Sequence, residues 1–450
     1  MPAHTPIPNT PADKWIIDPL KRFISNSTMS GIMLFTSAFI ALIISNSPWA
    51  DAYHHFWETT FSIGFAEHII SKSLHHWIND GLMAVFFFVV GLELKREIIA
   101  GELSDPKNAI LPVSAAIGGM VIPALIFLMI NNGLESVSGW GIPMATDIAF
   151  ALGVLYLMGD KVPISLKVFL TALAIADDIG AVLVIAFFYT SDINLWSLGT
   201  GAVFMLILIA ANMLGIRNTL FYALMGIGGL WLAFLMSGVH ATIAAVMAAF
   251  TIPARVKVPE LLYSAKLEKL HEKFKAAKPN NQPTVTADQL HILEEIRDLS
   301  KKALTPLQRL EHSMHPLVAF IIMPVFALAN AGVTLPDNIT AQLFSPLALG
   351  IFAGLIAGKV IGVVGISMVL TRLKWASLPD GMNVHHLIGA GFLAAIGFTM
   401  SLFITDLAFK QSDMVLQAKL GILTASVIAS LIGFWLIWIG NNKADVPPIK

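Results

Sequence analysis

The reading of this chain turns on the stretch Ile164-Ser-Leu-Lys-Val-Phe-Leu-Thr-Ala-Leu-Ala-Ile-Ala-Asp-Asp-Ile-Gly-Ala-Val-Leu-Val-Ile-Ala-Phe-Phe-Tyr189. It is long and apolar enough to cross a bilayer as a helix, which takes about 20 residues. Near its middle stand two adjacent carboxylates, Asp177 and Asp178. A charged side chain at mid-bilayer costs about 2.5–3.5 kcal/mol on the insertion scale. Consecutive acids are therefore an expensive way to tie helices together, a task that neutral Asn or Ser performs. Adjacent residues on a helix point about 100° apart. The natural division has one carboxylate facing a water-filled site and the other meeting a partner such as Lys359, in Ala357-Gly-Lys-Val-Ile-Gly362.

Outward from this stretch, the 450 residues are 56% hydrophobic and only 13% charged, against roughly 25% charged in soluble domains. Mean hydropathy is +0.74. Apolar runs recur near 30–47, 79–94, 109–130, 140–158, 164–189, 195–214, 219–236, 238–253, 314–333, 343–371, 386–408 and 416–440. They lack the alternation of a β-barrel, so the sequence predicts an all-α integral membrane protein with about twelve crossings. The net charge of −1 gives no basic face for nucleic acid. With no cysteine, disulfides, zinc–thiolate sites and thiol catalysis are excluded.

Of the 28 Lys and Arg, 11 lie between Arg255 and Arg309. Placing Met1 inside puts 24 on the cytoplasmic side and leaves Lys72, Lys410 and Lys419 outside. That asymmetry orients both termini to the cytoplasm. The first run, with its basic flank and Ser45-Asn-Ser47 after it, has the layout of a signal peptide; removing it would reverse the charge asymmetry. The organisation read from the chain is a cytoplasmic N-terminus over 1–29, eight crossings within 30–253, a polar linker over 254–313, four crossings within 314–440 and a cytoplasmic tail over 441–450. The linker carries Leu262, Leu267, Leu270 and Phe274, then Leu290, Leu293, Ile296 and Leu299, a pattern for two amphipathic helices around a Pro279–Pro283 break. It reads either as a solvated connector or as a regulatory or lipid-surface element.

The other costly polar position is Asp147, in Gly139-Trp-Gly-Ile-Pro-Met-Ala-Thr-Asp147, where two glycines and Pro143 precede Thr146-Asp147. A comparable stretch, Ala394-Ala-Ile-Gly-Phe-Thr-Met-Ser401, lies in the eleventh run. Both read as helix interruptions, which free backbone groups and half-helix dipoles at membrane depth; for the eleventh, close packing at glycine is an equal alternative. Each falls in the middle of a triplet of runs, the arrangement an inverted repeat requires. The neighbouring pairs His54-His55, His75-His76 and His385-His386 do not share a helix face and are poor metal sites.

Seven motifs together resemble the NhaA-type bacterial sodium/proton antiporters: 87–97 (Phe-Phe-Val-Val-Gly-Leu-Glu-Leu-Lys-Arg-Glu), 143–153, 174–181, 237–242, 307–312, 326–332 and 397–404. The resemblance spans nearly the whole chain. It implies inverted repeats with interrupted fourth and eleventh helices, no enzymatic activity, no cofactor, and electrogenic, pH-regulated exchange of sodium or lithium for protons across the bacterial inner membrane. By position it implies that Asp178 binds the cation, with Asp177 and Thr146 beside it, that Lys359 pairs with Asp177, and that Asp147 balances facing helix ends. It assigns Glu93, Arg96, Glu97, Glu311 and His312 to a cytoplasmic pH-response cluster tuned by His240. It also implies subunit pairing through the outer 51–79 segment, where Thr59–Phe65 reads as a strand of a hairpin. The linker departs from the family pattern by its length and its Lys and Glu content.

Sodium is a hard cation that takes oxygen ligands. A desolvated carboxylate can hold a proton or such a cation, and competition at one group couples the two fluxes. Rival readings are a proton- or sodium-coupled transporter of another small solute, a passive channel, and an intramembrane protease, for which neither Gly-x-Gly-Asp nor His-Glu-x-x-His is present.

Overall fold

A computed structural model of the chain describes residues 27–65, 68–190, 193–277, 284–336 and 338–443. The apolar runs fold as helices, because a backbone surrounded by hydrocarbon must bond within its own segment. In chain order these are α1 (Ser27–Ser45), α2 (Ala50–Glu58), α3 (Met83–Ala100), α4 (Pro106–Asn131), α5 (Ile148–Leu157), α6 (Ile164–Phe188) and α7 (Leu195–Met213). They continue as α8 (Thr219–Leu235), α9 (Ala241–Thr251), α10 (Glu260–Ala276), α11 (Ala287–Ala303), α12 (Pro306–Asn330), α13 (Pro346–Arg372), α14 (Val384–Ala394), α15 (Phe398–Ala408) and α16 (Ser412–Lys443).

Among the described residues, eight helices are long and apolar enough to cross a membrane. The number is nine if Glu135–Met144 and α5, bent by 43°, form one span. Expected crossings near 219–236 and 238–253 are the shorter apolar helices α8 and α9. The one near 79–94 is α3 with the helical turns from Leu74 that lead into it.

The only strands among the described residues are β1 (Thr60–Phe65) and β2 (His68–Ser73), antiparallel from Thr60↔Ser73 to Phe65↔His68. The linker forms the antiparallel-packed pair α10 and α11. Their own small core contains Leu270, Ile292 and Leu299 with Leu267, Phe274 and Ile296 against it. Thr286 and Gln289 close a capping box at the start of α11. The Pro279–Pro283 break lies outside the described residues.

Close helix approach decides where the buried lysine sits. A Cβ on Gly118 of α4 would lie 2.6 Å from the Gly362 carbonyl of α13, so both helices need glycine where they cross. Five residues of wider helical turn, Gly354–Gly358, precede Lys359 directly. Such turns re-aim the side chains that follow and recur at functional sites.

Candidate functional site

Two chain breaks meet in the interior. Glu135–Met144 winds as a tight 3-10 helix, Ala145-Thr-Asp147 is extended, and α5 then starts with Asp147 as its N-cap. Across from it, Ala395-Ile-Gly397 separates α14 from α15. The backbone groups freed by one break are largely satisfied by the other. Thr146 Oγ1 donates to Ala394 O at 2.7 Å, Asp147 N donates to Ile396 O at 2.7 Å, and Ser401 Oγ donates to Ile142 O at 2.8 Å. Phe398 N reaches Ser426 Oγ on α16 at 3.2 Å.

Asp147 sits between two helix N-termini. One carboxylate oxygen accepts from Phe150 N at 2.9 Å. The other accepts from Thr399 N at 3.1 Å and from the Thr399 hydroxyl. A buried anion is tolerated there because unpaired N–H groups and both helix dipoles converge on it.

The carboxylate pair lies on α6, which packs against α14 and the 135–144 segment. Asp177, Asp178 and Lys359 are 0%, 1% and 0% exposed. Lys359 Nζ donates to Asp177 Oδ2 at 2.6 Å, and Thr146 lies beside the same carboxylate. Oδ1 of Asp177 and both oxygens of Asp178 have no hydrogen-bond partner. Asp178 borders a cavity of about 420 Å³ whose other walls are apolar, among them Val90, Val182, Met205, Ile243 and Val246. Oδ1 of Asp177 and the two oxygens of Asp178, with Thr146 next to Asp177, are oxygens of the kind that a proton or a small hard cation takes. Among the described residues no group of three or more His, Asp or Glu is arranged to hold a metal ion.

The charged residues at the helix ends divide. At the linker end of the bundle, Arg96 pairs with Glu97 at 2.9 Å and with Glu311 on α12 at 3.1 Å. Glu93 is half-buried one turn earlier on α3, and His312 is exposed. His240 is not with them. It precedes α9, with Nε2 2.7 Å from Tyr189 O, whereas Lys95 beside the cluster donates to Phe250 O and Ile252 O at the opposite end of α9. The helix between them is about 16 Å long at 1.5 Å per residue. Any effect of His240 on the cluster therefore passes through α9 and not through contact.

Sequence reasoning did not single out Thr399, Ser401 or Ser426, because a hydroxyl in an apolar run looks like any small packing residue. Lys95, a C-terminal cap for α9, carried a usable signal: a basic residue just inside a helix end with no acid four residues away.

Residues 21–437 match the family described as "Na+/H+ antiporter 1". The chain belongs to this family. Among its relatives is "Na(+)/H(+) antiporter NhaA" of Oleidesulfovibrio alaskensis, 48% identical over 438 residues, with 96% of this chain and 97% of the relative covered. The protein of the same name from Acidithiobacillus ferrooxidans is 49% identical over 437 residues, covering 96% and 100%. "Na(+)/H(+) antiporter NhaA 1" of Saccharophagus degradans is 47% identical over 452 residues, covering 98% and 97%. The solved structure of the sodium proton antiporter MjNhaP1 from Methanocaldococcus jannaschii aligns with a TM-score of 0.46 at 12% identity over 95% of this chain and 98% of that one. Family membership and the apolar helices make the chain a multi-pass bacterial membrane transporter and not an enzyme.

Proposed function

We propose that this protein is an electrogenic antiporter that exports sodium or lithium in exchange for protons. In this reading Asp178 carries the exchanged ion. The observation that carries it is the asymmetry of the buried pair: Asp177 is neutralised by Lys359, while both oxygens of Asp178 are buried without partners in a residue that lines the wall of a cavity. A carboxylate in that position must be occupied, because an unpaired charge out of water is costly. A proton and a sodium ion are the two occupants its oxygens suit. The site changes access only when one or the other is bound, so the fluxes are coupled.

Lys359 supplies the balancing charge. It holds Asp177 when no cation is present and is displaced when sodium draws on both carboxylates; this makes the cycle move net charge. Asp147 fixes the two breaks against each other while the site changes access. Counting the 135–157 pair, α3 with its lead-in turns, α8 and α9 gives twelve crossings. The convergence of the α5 and α15 N-termini on one acid supports an inverted repeat with interrupted fourth and eleventh helices. In this reading the protein lies in the inner membrane, and the Lys and Arg asymmetry supports an orientation with both termini in the cytoplasm. Glu93, Arg96, Glu97, Glu311 and His312 then form the pH-responsive cluster on the cytoplasmic face. The β1–β2 hairpin, with Phe61 and Ile63 more than half exposed, is the surface that pairs subunits.

The test is dequenching of a pH-sensitive dye in everted vesicles on adding sodium. Wild type gives a sodium-dependent proton flux; Asp178→Asn, with Asn unable to exchange a proton, gives none while eluting as folded protein. Normal exchange by the Asn variant defeats the assignment, and a cation flux without proton counter-movement supports a channel instead.

A further inference from the structure

A second polar assembly, buried at its two asparagines and open to solution at His75, lies at the hairpin end, away from the carboxylate pair. His75 Nε2 is 2.9 Å from Asn330 Oδ1. Asn330 Nδ2 donates to Asn79 Oδ1 at 3.0 Å, and Asn79 Nδ2 donates to Asp406 Oδ2 at 2.8 Å. The same carboxylate oxygen is 3.5 Å from His75 Nε2. Each amide donates onward and accepts from behind, so the direction is fixed: the His75 ring nitrogen must donate to Asn330, and the chain ends on the carboxylate. It ties the turns before α3 to the end of α12 and to α15.

Asp406 lies in the last turn of α15, where the helix dipole opposes a negative charge. Donors from outside the helix are what hold it there. At the other end of the same helix, Thr399 binds Asp147. Seven residues, about 10 Å at 1.5 Å per residue, separate the two contacts on one rigid element.

We propose that this chain of hydrogen bonds is a latch on α15, with Asp406 as a positioning residue for the ion step at the helix breaks and His75 as the group that sets the latch strength from the hairpin-side solution. The proposal rests on the antiport reading above. His75 is about a third exposed (32%) and Asp406 is largely covered (14%), so the solution reaches the imidazole more readily than the carboxylate. Histidine is the side chain that changes charge between pH 5 and 8. Charging His75 places a cation against Asp406, holds α15 more firmly and slows the change of access. The other charged or titratable groups around the pair are Lys419 of α16, which faces Asp406, and Asp80 on the helical turns that follow His75. Lys72 and His76 flank it along the chain. Tyr53, His54 and Glu58 come from α2, which packs against the His75 turn.

Proton competition at the ion site raises the KM for sodium, whereas a latch on the access change lowers kcat; the two effects are therefore separable. The full-length protein is reconstituted in liposomes, and sodium-driven proton flux is measured with hairpin-side pH varied from about 6 to 8. The native chain has no cysteine, so Ser62→Cys with an impermeant label reports which face that is. Wild type is expected to lose kcat by about two- to fivefold on hairpin-side acidification, the range an ion pair with a partly exposed partner supplies. His75→Gln and Asp406→Asn each flatten that dependence and keep the acid rise in KM. If Asp406→Asn fails to fold, His75→Gln carries the test. Variants that retain the wild-type fall in kcat, or that change only KM, overturn the latch. Absence of sodium-driven flux in wild type instead overturns the antiport reading, and the latch with it.

Discussion

Replacing Asp147 with Asn keeps the shape of the side chain and removes its charge. The carboxylate accepts from Phe150 N, Thr399 N and the Thr399 hydroxyl. An asparagine offers one acceptor oxygen, so its NH2 must face either the Phe150 or the Thr399 N–H. The hydroxyl of Thr399 can turn and accept, but one backbone N–H is left without a partner, which costs about 1–3 kcal/mol when buried. The charge also stabilises two helix N-termini, each by about 0.3–2 kcal/mol. Together these give a loss on the order of 2–7 kcal/mol, concentrated where the breaks meet. The assay is thermal unfolding of the purified protein in detergent, paired with sodium-driven proton flux in vesicles. Asp147→Asn should unfold at a distinctly lower temperature and transport more slowly. Thr399→Val, which keeps the backbone N–H and loses one hydroxyl bond, should cost only about 1 kcal/mol. An Asn variant with wild-type melting and wild-type flux would falsify the view that Asp147 holds the breaks together.

Lys359→Gln leaves Asp177 without its cation, and breaking a fully buried pair costs about 3–5 kcal/mol; the expected result is a less stable protein whose exchange carries less net charge per cycle, read as a weaker response to an imposed membrane potential. Acidifying the ion-site solution should raise the KM for sodium by up to about tenfold per pH unit, because protons compete for the same carboxylate; a pH effect on kcat alone would argue against shared occupancy. Arg96→Met severs the contacts to Glu97 and Glu311, but the Arg96 side chain is only partly covered (42% exposed), so stability should change by no more than about 1 kcal/mol per pair. A shifted pH midpoint of transport in that variant supports a regulatory cluster, and an unmoved midpoint makes the cluster structural.

The helical class was legible because hydrocarbon imposes a simple rule of length and apolarity that single runs obey. Asp177, Asp178, Asp147 and Lys359 stood out for the same reason: a charge in an apolar run is too costly to be incidental. Legibility failed where partners come from distant runs. Asp406 and Asn330 lie 76 positions apart in the sequence, and both are joined to Asn79, yet none of the three looked informative alone. The resemblance has His240 tune the linker-end cluster, and only the path of α9 shows that it stands at the far end of that helix from those charges.

The sequence by itself determined a membrane-embedded helical chain and the acids within it, and it offered candidate weak points at 139–147 and 394–401, the second equally readable as glycine packing. Those follow from local rules of solvation and backbone geometry. The tertiary structure decided which carboxylate Lys359 takes, that the two breaks satisfy each other, and that Asp178 is left to border a cavity. Those are pairings between segments up to about 250 residues apart, and no local rule specifies which of several buried groups will meet.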